Sequence, residues 1–280
     1  LLQEADHAVF RAKATGRGRV EVFAPSQRAE IERRAAVQAA IVGALRDDTA
    51  SVRTSPIIDL RTDRIAGEEL EVVVPDPAGA LWQRRQLLPL SRGTDNLCDL
   101  DGWVLRRGVL TRPGDGWLVV PVTGRHLSQG TIVAEVNAAL EAGLAANRLM
   151  LLVPSDEVGG ARVLDTLRQL RTLGVRICAD SFGGDDSGTD RWTRAPFDFV
   201  QLDPRLLDTR GGDMLLRLTV ETANAFGYRV IAPGIVTESE AEVVAAAGCE
   251  LGLGPLYADA GAAVLSQPSS SSAGNGRDHR

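Results

Sequence analysis

The chain has 280 residues, a formal net charge of −6 and 44% hydrophobic residues, enough for one large core plus an appendage and without the basic footprint of a nucleic-acid binder. Three scattered cysteines (Cys98, Cys178, Cys249) and only three histidines (His7, His126, His279) exclude a disulfide framework, a paired-cysteine zinc site and a histidine-rich metal site. No apolar run is long enough to span a bilayer and the opening LLQEADHAVF does not read as a signal peptide, so a cytoplasmic segment with no membrane partner is expected.

In chain order, Leu1–Ala14 reads as a helix with Ala5, Ala8, Val9 and Ala12 on one stripe and Gly16 as its C-cap, followed by a short strand at Val20–Phe23. One helix and one strand cannot bury a core, so residues 1–25 read as the end of a truncated domain. Ser26–Leu45 reads as a second helix, with Ser26 as N-cap and Ile31, Ala35, Ile41 and Leu45 near one face. Packing against its own domain is the expectation, with a linker or a partner surface as the alternative; residues 26–46 are assigned as a linker helix.

From Ser51 onward the pattern becomes regular. Strands are predicted at Ile65–Val74, Leu118–Val122, Leu149–Val153, Val175–Ala179, Phe199–Leu202, Arg229–Ala232 and Gly252–Tyr257. Amphipathic helices lie between most of them, on Ile132, Val133, Val136 and Leu140; on Val163, Leu164, Leu167 and Leu170; on Leu215, Leu216, Val220 and Ala223; and on Ala241, Val244 and Ala245. Gly143, Gly174, Gly227 and Gly248 close these helices just before the next strand. Alternating strand and helix argues for a parallel α/β sheet, and this many units suits a closed barrel over residues 47–264, an open sheet being the alternative. The polar, low-complexity tail, residues 265–280, is expected to be disordered.

Two stretches resemble known families. LLQEADHAVFRAKATGRGRVEVF, Leu1 to Phe23, resembles the C-terminal end of a GGDEF (diguanylate cyclase) domain. The tetrad Gly211-Gly212-Asp213-Met214 is not that domain's signature, because it lies in a barrel loop and lacks the following acid. Arg46 to Ala263 resembles an EAL domain, the family that hydrolyses the bacterial second messenger cyclic di-GMP. Seven landmarks align in order: SPIIDLRTDRIAGEELE, VVPVTGRHL, RLMLLVPSDEV, LGVRICADSFGG, FDFVQLDPRLL, GYRVIAPGIVTESE and AGCELGLGPLY. The resemblance implies a modified TIM-type (β/α)8 barrel with its site at the C-terminal strand ends. It also implies two-metal hydrolysis, in which Mg²⁺ or Mn²⁺ held by carboxylate and amide oxygens activates a water.

Carried over residue by residue, that site is largely lost. The EAL glutamate is Glu69, the first aspartate of the DDFG pair is Asp180 and the aspartate of the KID motif is Asp203. The metal-binding asparagine position holds Pro121, the next strand's glutamates are Leu152 and Ser155, and the second DDFG aspartate is Ser181. The KID lysine is Gln201, the AEGVE glutamates are Pro233 and Val236, the final glutamine is Leu253 and the phosphate-gripping arginine is Val73. Leucine, proline and valine offer no side-chain oxygen, and a hard dication takes about six oxygen ligands. Glu69 and Asp180 could hold one ion weakly; a two-metal clamp, a cofactor and phosphodiesterase activity are not expected. Val73, Leu152 and Leu253 are expected to have joined the core.

Each survivor also has a structural reading. Asp180 and Glu69 can cap loops, and Asp203 followed by Pro204 reads as a helix N-cap. Asp185, Asp186 and Asp190 read as a solvated loop, Trp103 as core rather than as a guanine-stacking ring, and Cys178 as a buried strand residue; Trp82, Trp117 and Trp192 stay open as stacking rings. Three functions result: an inactive regulatory module that engages other domains of the same protein or a signalling partner, a cyclic di-GMP receptor that does not cleave, or a residual phosphodiesterase. The receptor needs a phosphate grip, for which Arg84, Arg85 and Arg125 are the candidates. A homodimer is open, because the Ser181–Trp192 loop departs from the pattern through which EAL domains pair.

Overall fold

A computed structural model describes residues 25–265 except 77–78, 92, 111–114, 185–189, 209–211 and 261–263. The GGDEF-like segment, the acidic Asp185–Asp186 pair, Gly211 and the tail beyond Leu265 lie outside the described residues.

A 22-residue helix, α1 (Pro25–Arg46), leads into strand β1 (Ser51–Asp59). The strands β2 (Arg64–Pro75), β4 (Trp117–Pro121), β5 (Leu149–Pro154), β6 (Arg176–Phe182), β7 (Phe199–Leu202), β8 (Arg229–Ala232) and β9 (Leu251–Gly252) then pair in parallel succession. β1 pairs antiparallel with both β2 and β9, which closes β1, β2 and β4–β9 into a barrel of eight strands. Two short strands, β3 (Leu81–Gln83) and β10 (Val264–Leu265), add antiparallel to β2 and β1 outside that ring.

The closing strand β1 is absent from the sequence reading. Its residues, SVRTSPIID, carry hydroxyls, an arginine and a proline, which weakens a hydrophobic run. Burial nevertheless alternates along its first half, with Val52 and Thr54 buried and Val52 packed in the core between barrel and helices. Leu265, assigned to the tail, belongs to β10.

The predicted strand Gly252–Tyr257 is corrected. β9 ends at Gly252, and Pro255–Ala260 forms a tight 3₁₀ turn, because Pro255 has no N–H to continue the ladder. On α1 the predicted stripe holds only in the C-terminal half, where Ile41 is buried and Leu45 packs against the core. Val37, Ile41 and Ala44 are buried, whereas Ile31 and Ala35 are exposed. The C-terminal half of the helix therefore packs on its own domain, as expected.

Around the barrel run α2 (Arg84–Ser91), α3 (Asn96–Trp103, prolonged by a π-type turn at Val104–Gly108), α4 (Gly124–Gln129), α5 (Ile132–Glu141) and α6 (Ala161–Thr172). They are followed by α7 (Asp190–Arg194), α8 (Arg205–Asp208), α9 (Gly212–Ala225) and α10 (Glu238–Ala246). Gly143, Gly174, Gly227 and Gly248 all adopt the left-handed backbone expected after the helices. On α9, Leu216, Val220 and Ala223 face inward, but Leu215 is 47% exposed, one step off the predicted stripe.

The alternation of side chains across each strand produces two cores. Outward residues such as Val120, Leu151, Ile177, Val200 and Val230 pack against the helices. Inward residues Ile57, Val119, Met150, Leu152, Cys178, Phe199, Ile231, Leu251 and Leu253 fill the barrel itself. At the N-terminal end Trp117 meets Phe199 edge-on at 5.1 Å, and the Arg229 guanidinium covers both rings at 5.1 Å. That end is plugged, so the C-terminal mouth is where a ligand can enter.

Candidate functional site

At the C-terminal mouth a cleft of about 570 Å³ opens between the strand ends and α2–α4. Glu69 of β2 and Asp180 of β6 both line it, as do Pro121 of β4 and Leu152 of β5. Strand register explains the grouping: Glu69 stands opposite Val119, Pro121 opposite Leu152, and Pro154 opposite Asp180. On the facing wall stand Arg84, Arg85 and Arg125, so all three candidate arginines meet the two surviving acids. Trp82, Trp103, Trp117 and Trp192 do not line the cleft; Trp103 and Trp192 belong to the outer core.

Glu69 is held from below by Gln201, whose Nε2 donates to Oε2 at 3.3 Å. Burial, then the Asp180 charge, push the Glu69 carboxyl up to about 7, outweighing the Gln201 hydrogen bond. Burial also raises Asp180, against hydrogen bonds from the Ser181 backbone and hydroxyl; Ser181 Oγ lies 3.3 Å from Oδ1. Ser181 itself has φ 59°, a left-handed conformation unusual for a residue with a Cβ.

Asp203 is not brought to the cleft. It is 4% exposed and turned onto the start of α8, where Oδ1 accepts from the Arg205 backbone N at 2.8 Å and Oδ2 from Arg205 Nη2 at 2.6 Å. The Arg205 hydrogen bonds hold its carboxyl below the usual range. This is the N-cap role read from Asp203-Pro204.

The positions without oxygen donors have been absorbed as expected. Leu152 is 5% and Leu253 7% exposed, both inside the barrel, and Val73 is fully buried on β2. Val236, by contrast, is 56% exposed on the loop before α10. Cys178 is fully buried in the inner core.

A buried polar network behind the arginine wall was not foreseen. Asp101 of α3 is fully buried. Its Oδ1 accepts from Arg84 Nη1 at 2.5 Å, and its Oδ2 from the Thr123 backbone N at 2.8 Å and Thr123 Oγ1 at 3.0 Å. His126 lies beyond, with Nδ1 3.5 Å from Asp101 and Nε2 3.5 Å from Glu135, though Nδ1 and Glu135 Oε2 make no hydrogen bond. Burial alone would raise Asp101; the Arg84 charge and these hydrogen bonds outweigh it and hold the carboxyl below the usual range. The signal was present in the sequence: Asp101 shares the apolar face of Leu97, Leu100 and Val104, and a charge there needs a partner.

A barrel with one antiparallel strand, plugged at one end and with a ligand-sized cleft at the C-terminal mouth, defines an α/β-barrel protein whose chemistry resides in that cleft. The family model for the EAL domain matches residues 36–260, and the chain belongs to that family. The chain is 28% identical over 271 residues to cyclic di-GMP phosphodiesterase NbdA of Pseudomonas aeruginosa, a match that covers 92% of this chain and 35% of NbdA. The chain thus spans about a third of that relative's length. Among solved structures, EAL enzyme Bd1971 in its cAMP- and cyclic-di-GMP-bound form superposes with TM-score 0.75 at 20% identity, covering 91% of this chain and 71% of that one. The PaMucR phosphodiesterase in complex with c-di-GMP gives TM-score 0.72 at 21% identity, covering 79% of this chain and 95% of that one. These likenesses confirm the fold.

The two dications implied by the resemblance would need oxygen donors from the cleft. Glu69 and Asp180 supply carboxylates, and Glu71, Asp156 and Glu157 also line the cleft; Pro121 and Leu152, at the intervening strand ends, supply no side-chain oxygen. Among the described residues no group of three or more His, Cys, Asp or Glu is arranged to hold a metal ion. The side chains present do not fit a pair of Mg²⁺ or Mn²⁺ ions.

Proposed function

We propose that this chain is a non-hydrolysing EAL module of a cytoplasmic cyclic di-GMP signalling protein, acting through what it binds rather than what it cleaves. The supporting observation is the company Glu69 keeps: Gln201 where the family has its lysine, and Leu152 and Pro121 where it has oxygen ligands. Groups that act as a catalytic unit fail as a unit, so the remaining Glu69 and Asp180 cannot restore the rate. The test is turnover of cyclic di-GMP by the intact chain with Mn²⁺ or Mg²⁺. No hydrolysis above the metal-only control is expected; hydrolysis abolished by Glu69→Ala overturns the reading. In this reading the module regulates a neighbouring domain, of which the GGDEF-like residues 1–25 are a trace, or a separate signalling partner.

A second reading, a receptor that holds cyclic di-GMP intact, is favoured by one further observation. Arg84, Arg85 and Arg125 line the same cleft as the two acids, so basic groups face a site that has lost its arginine at Val73. Calorimetry with cyclic di-GMP separates the two readings: heat of binding without turnover marks a receptor, and its absence marks a module that works by protein contact alone.

A further inference from the structure

Helix α2 buries Arg84, Leu87 and Ser91, three residues on one face at helical spacing. Leu87 belongs to the outer core, whereas Arg84 and Ser91 both line the cleft. Ser91 is 1% exposed and its Oγ is buried without a hydrogen-bond partner. A buried hydroxyl left unpaired against a cavity is a cost that a polar ligand in that cavity removes.

Arg84 is prepared in a complementary way. Its side chain is 9% exposed, and its guanidinium is anchored at Nη1 by Asp101, which is itself held by Thr123. A guanidinium has five N–H donors, so an anchor at one end leaves a planar, pre-oriented edge for an anion. Arg85 stands exposed on the same wall, as does Arg125, whose guanidinium is paired with Asp95 at 2.6 Å, while the carboxyls of Glu69 and Asp180 line the strand side. The cleft is thus basic on its helical wall and acidic at the strand ends. That polarity suits a phosphorylated ligand that also presents hydrogen-bond donors, such as a guanine nucleotide.

We propose that the inner face of α2 is the phosphate-binding wall of this cleft, with Arg84 replacing the grip lost at Val73 and Ser91 donating its unpartnered hydroxyl to the same ligand. The proposal rests on the receptor reading above and adds where the ligand is held. Two turns of helix separate the residues, about 10 Å along the axis, so they meet different parts of a ligand of nucleotide size or larger.

The experiment is calorimetric titration of the intact chain, Arg84→Lys and Ser91→Ala with cyclic di-GMP, GMP and inorganic phosphate. Arg84→Lys keeps the charge for Asp101 but loses the planar fork, and a loss of about 10-fold in affinity is expected. Ser91→Ala removes only the hydroxyl; about 5-fold weaker binding is expected, with no fall in thermal midpoint. The midpoint excludes damage to the fold as the cause. If the parent binds cyclic di-GMP and both variants bind it as tightly, the α2 wall is wrong and the receptor reading survives. If cyclic di-GMP fails to bind but GMP or phosphate binds with this dependence on Arg84 and Ser91, the wall survives and the receptor reading falls. If none of the three binds, both fall.

Discussion

Gln201 donates from Nε2 to Glu69 Oε2 at 3.3 Å while its own Oε1 stays buried without a partner. A protonated Glu69 carries the O–H that this oxygen lacks, so acid and amide can satisfy each other as a neutral pair. A lysine at the same place would favour the carboxylate instead. Burial and the Asp180 charge raise the Glu69 carboxyl, and the hydrogen bond from Gln201 opposes that rise without cancelling it.

This has a pH consequence. Because folding raises Glu69 from 4.5 to about 7, the folded chain binds the proton more tightly than the unfolded chain. The stability tied to it is fully present below pH 4.5 and is lost as pH rises through about 7. The loss is at most about 3 kcal/mol. Glu69→Gln keeps the amide partner and removes the titration, so it is expected to be more stable than the parent at pH 8 and to lose this part of the pH slope. Urea unfolding at pH 5 and pH 8 measures it; an unchanged slope in Glu69→Gln refutes the neutral pair.

Leu152 sits 5% exposed in the inner core, directly opposite Pro121 on one neighbouring strand and Cys178 on the other. Leu152→Glu gives up apolar burial and adds a carboxyl to a cleft already lined by Glu69, Glu71, Asp156, Glu157 and Asp180, at an expected cost of about 2–4 kcal/mol. Millimolar Mn²⁺ is expected to recover part of that loss in the variant and to leave the parent's thermal midpoint unmoved, since only the variant has the added oxygen ligand. Thermal melts with and without the ion decide it. A large Mn²⁺ shift in the parent means the existing acids already suffice for tight binding.

Most of the barrel was legible because buried parallel strands are near-continuous apolar runs, as at Leu149–Pro154, and because left-handed glycines close four of the helices just ahead of the next strand. What was hidden depends on contacts made across the chain. β1 is a strand because β2 and β9 need a partner to close the ring, not because SVRTSPIID favours one. Glu69 could be placed within a strand, and Asp180 just past the end of one, from sequence. The convergence of Arg84 with them could not, since it depends on Asp101, 17 residues on, to draw the guanidinium inward.

The Arg84–Asp101 pair makes its own claim on stability. Asp101 is depressed below its ordinary 3.8, so the stability it contributes is present above that value and lost as pH falls through the lower, folded one. Asp101→Ala leaves a buried guanidinium uncompensated and is expected to cost about 3–5 kcal/mol. Adding Arg84→Met to that variant is expected to recover most of the loss, because an apolar side chain then fills the position without a buried charge. A double-mutant cycle by urea unfolding gives the coupling; strict additivity of the two changes contradicts a buried pair.

Gly67, two residues before Glu69, fixes how closely β2 approaches β4. It pairs with Trp117, and a Cβ built on it would lie 2.6 Å from the Trp117 carbonyl oxygen and 3.0 Å from its N, both backbone atoms that cannot swing aside. Gly252 on β9 is the control, since a Cβ there meets only side-chain ends, Ile235 Cδ1 at 2.6 Å and Leu60 Cδ2 at 3.0 Å. Gly67→Ala is expected to cost about 2–4 kcal/mol by forcing the strands apart, and Gly252→Ala roughly half of that or less, because flexible side chains can yield. Glu69 lies on the displaced strand, so Gly67→Ala is also expected to shift the Glu69 titration by NMR, while Gly252→Ala leaves it in place. Equal costs for the two substitutions, with Glu69 undisturbed in both, would show that the β2–β4 contact does not set the position of the acid in the cleft.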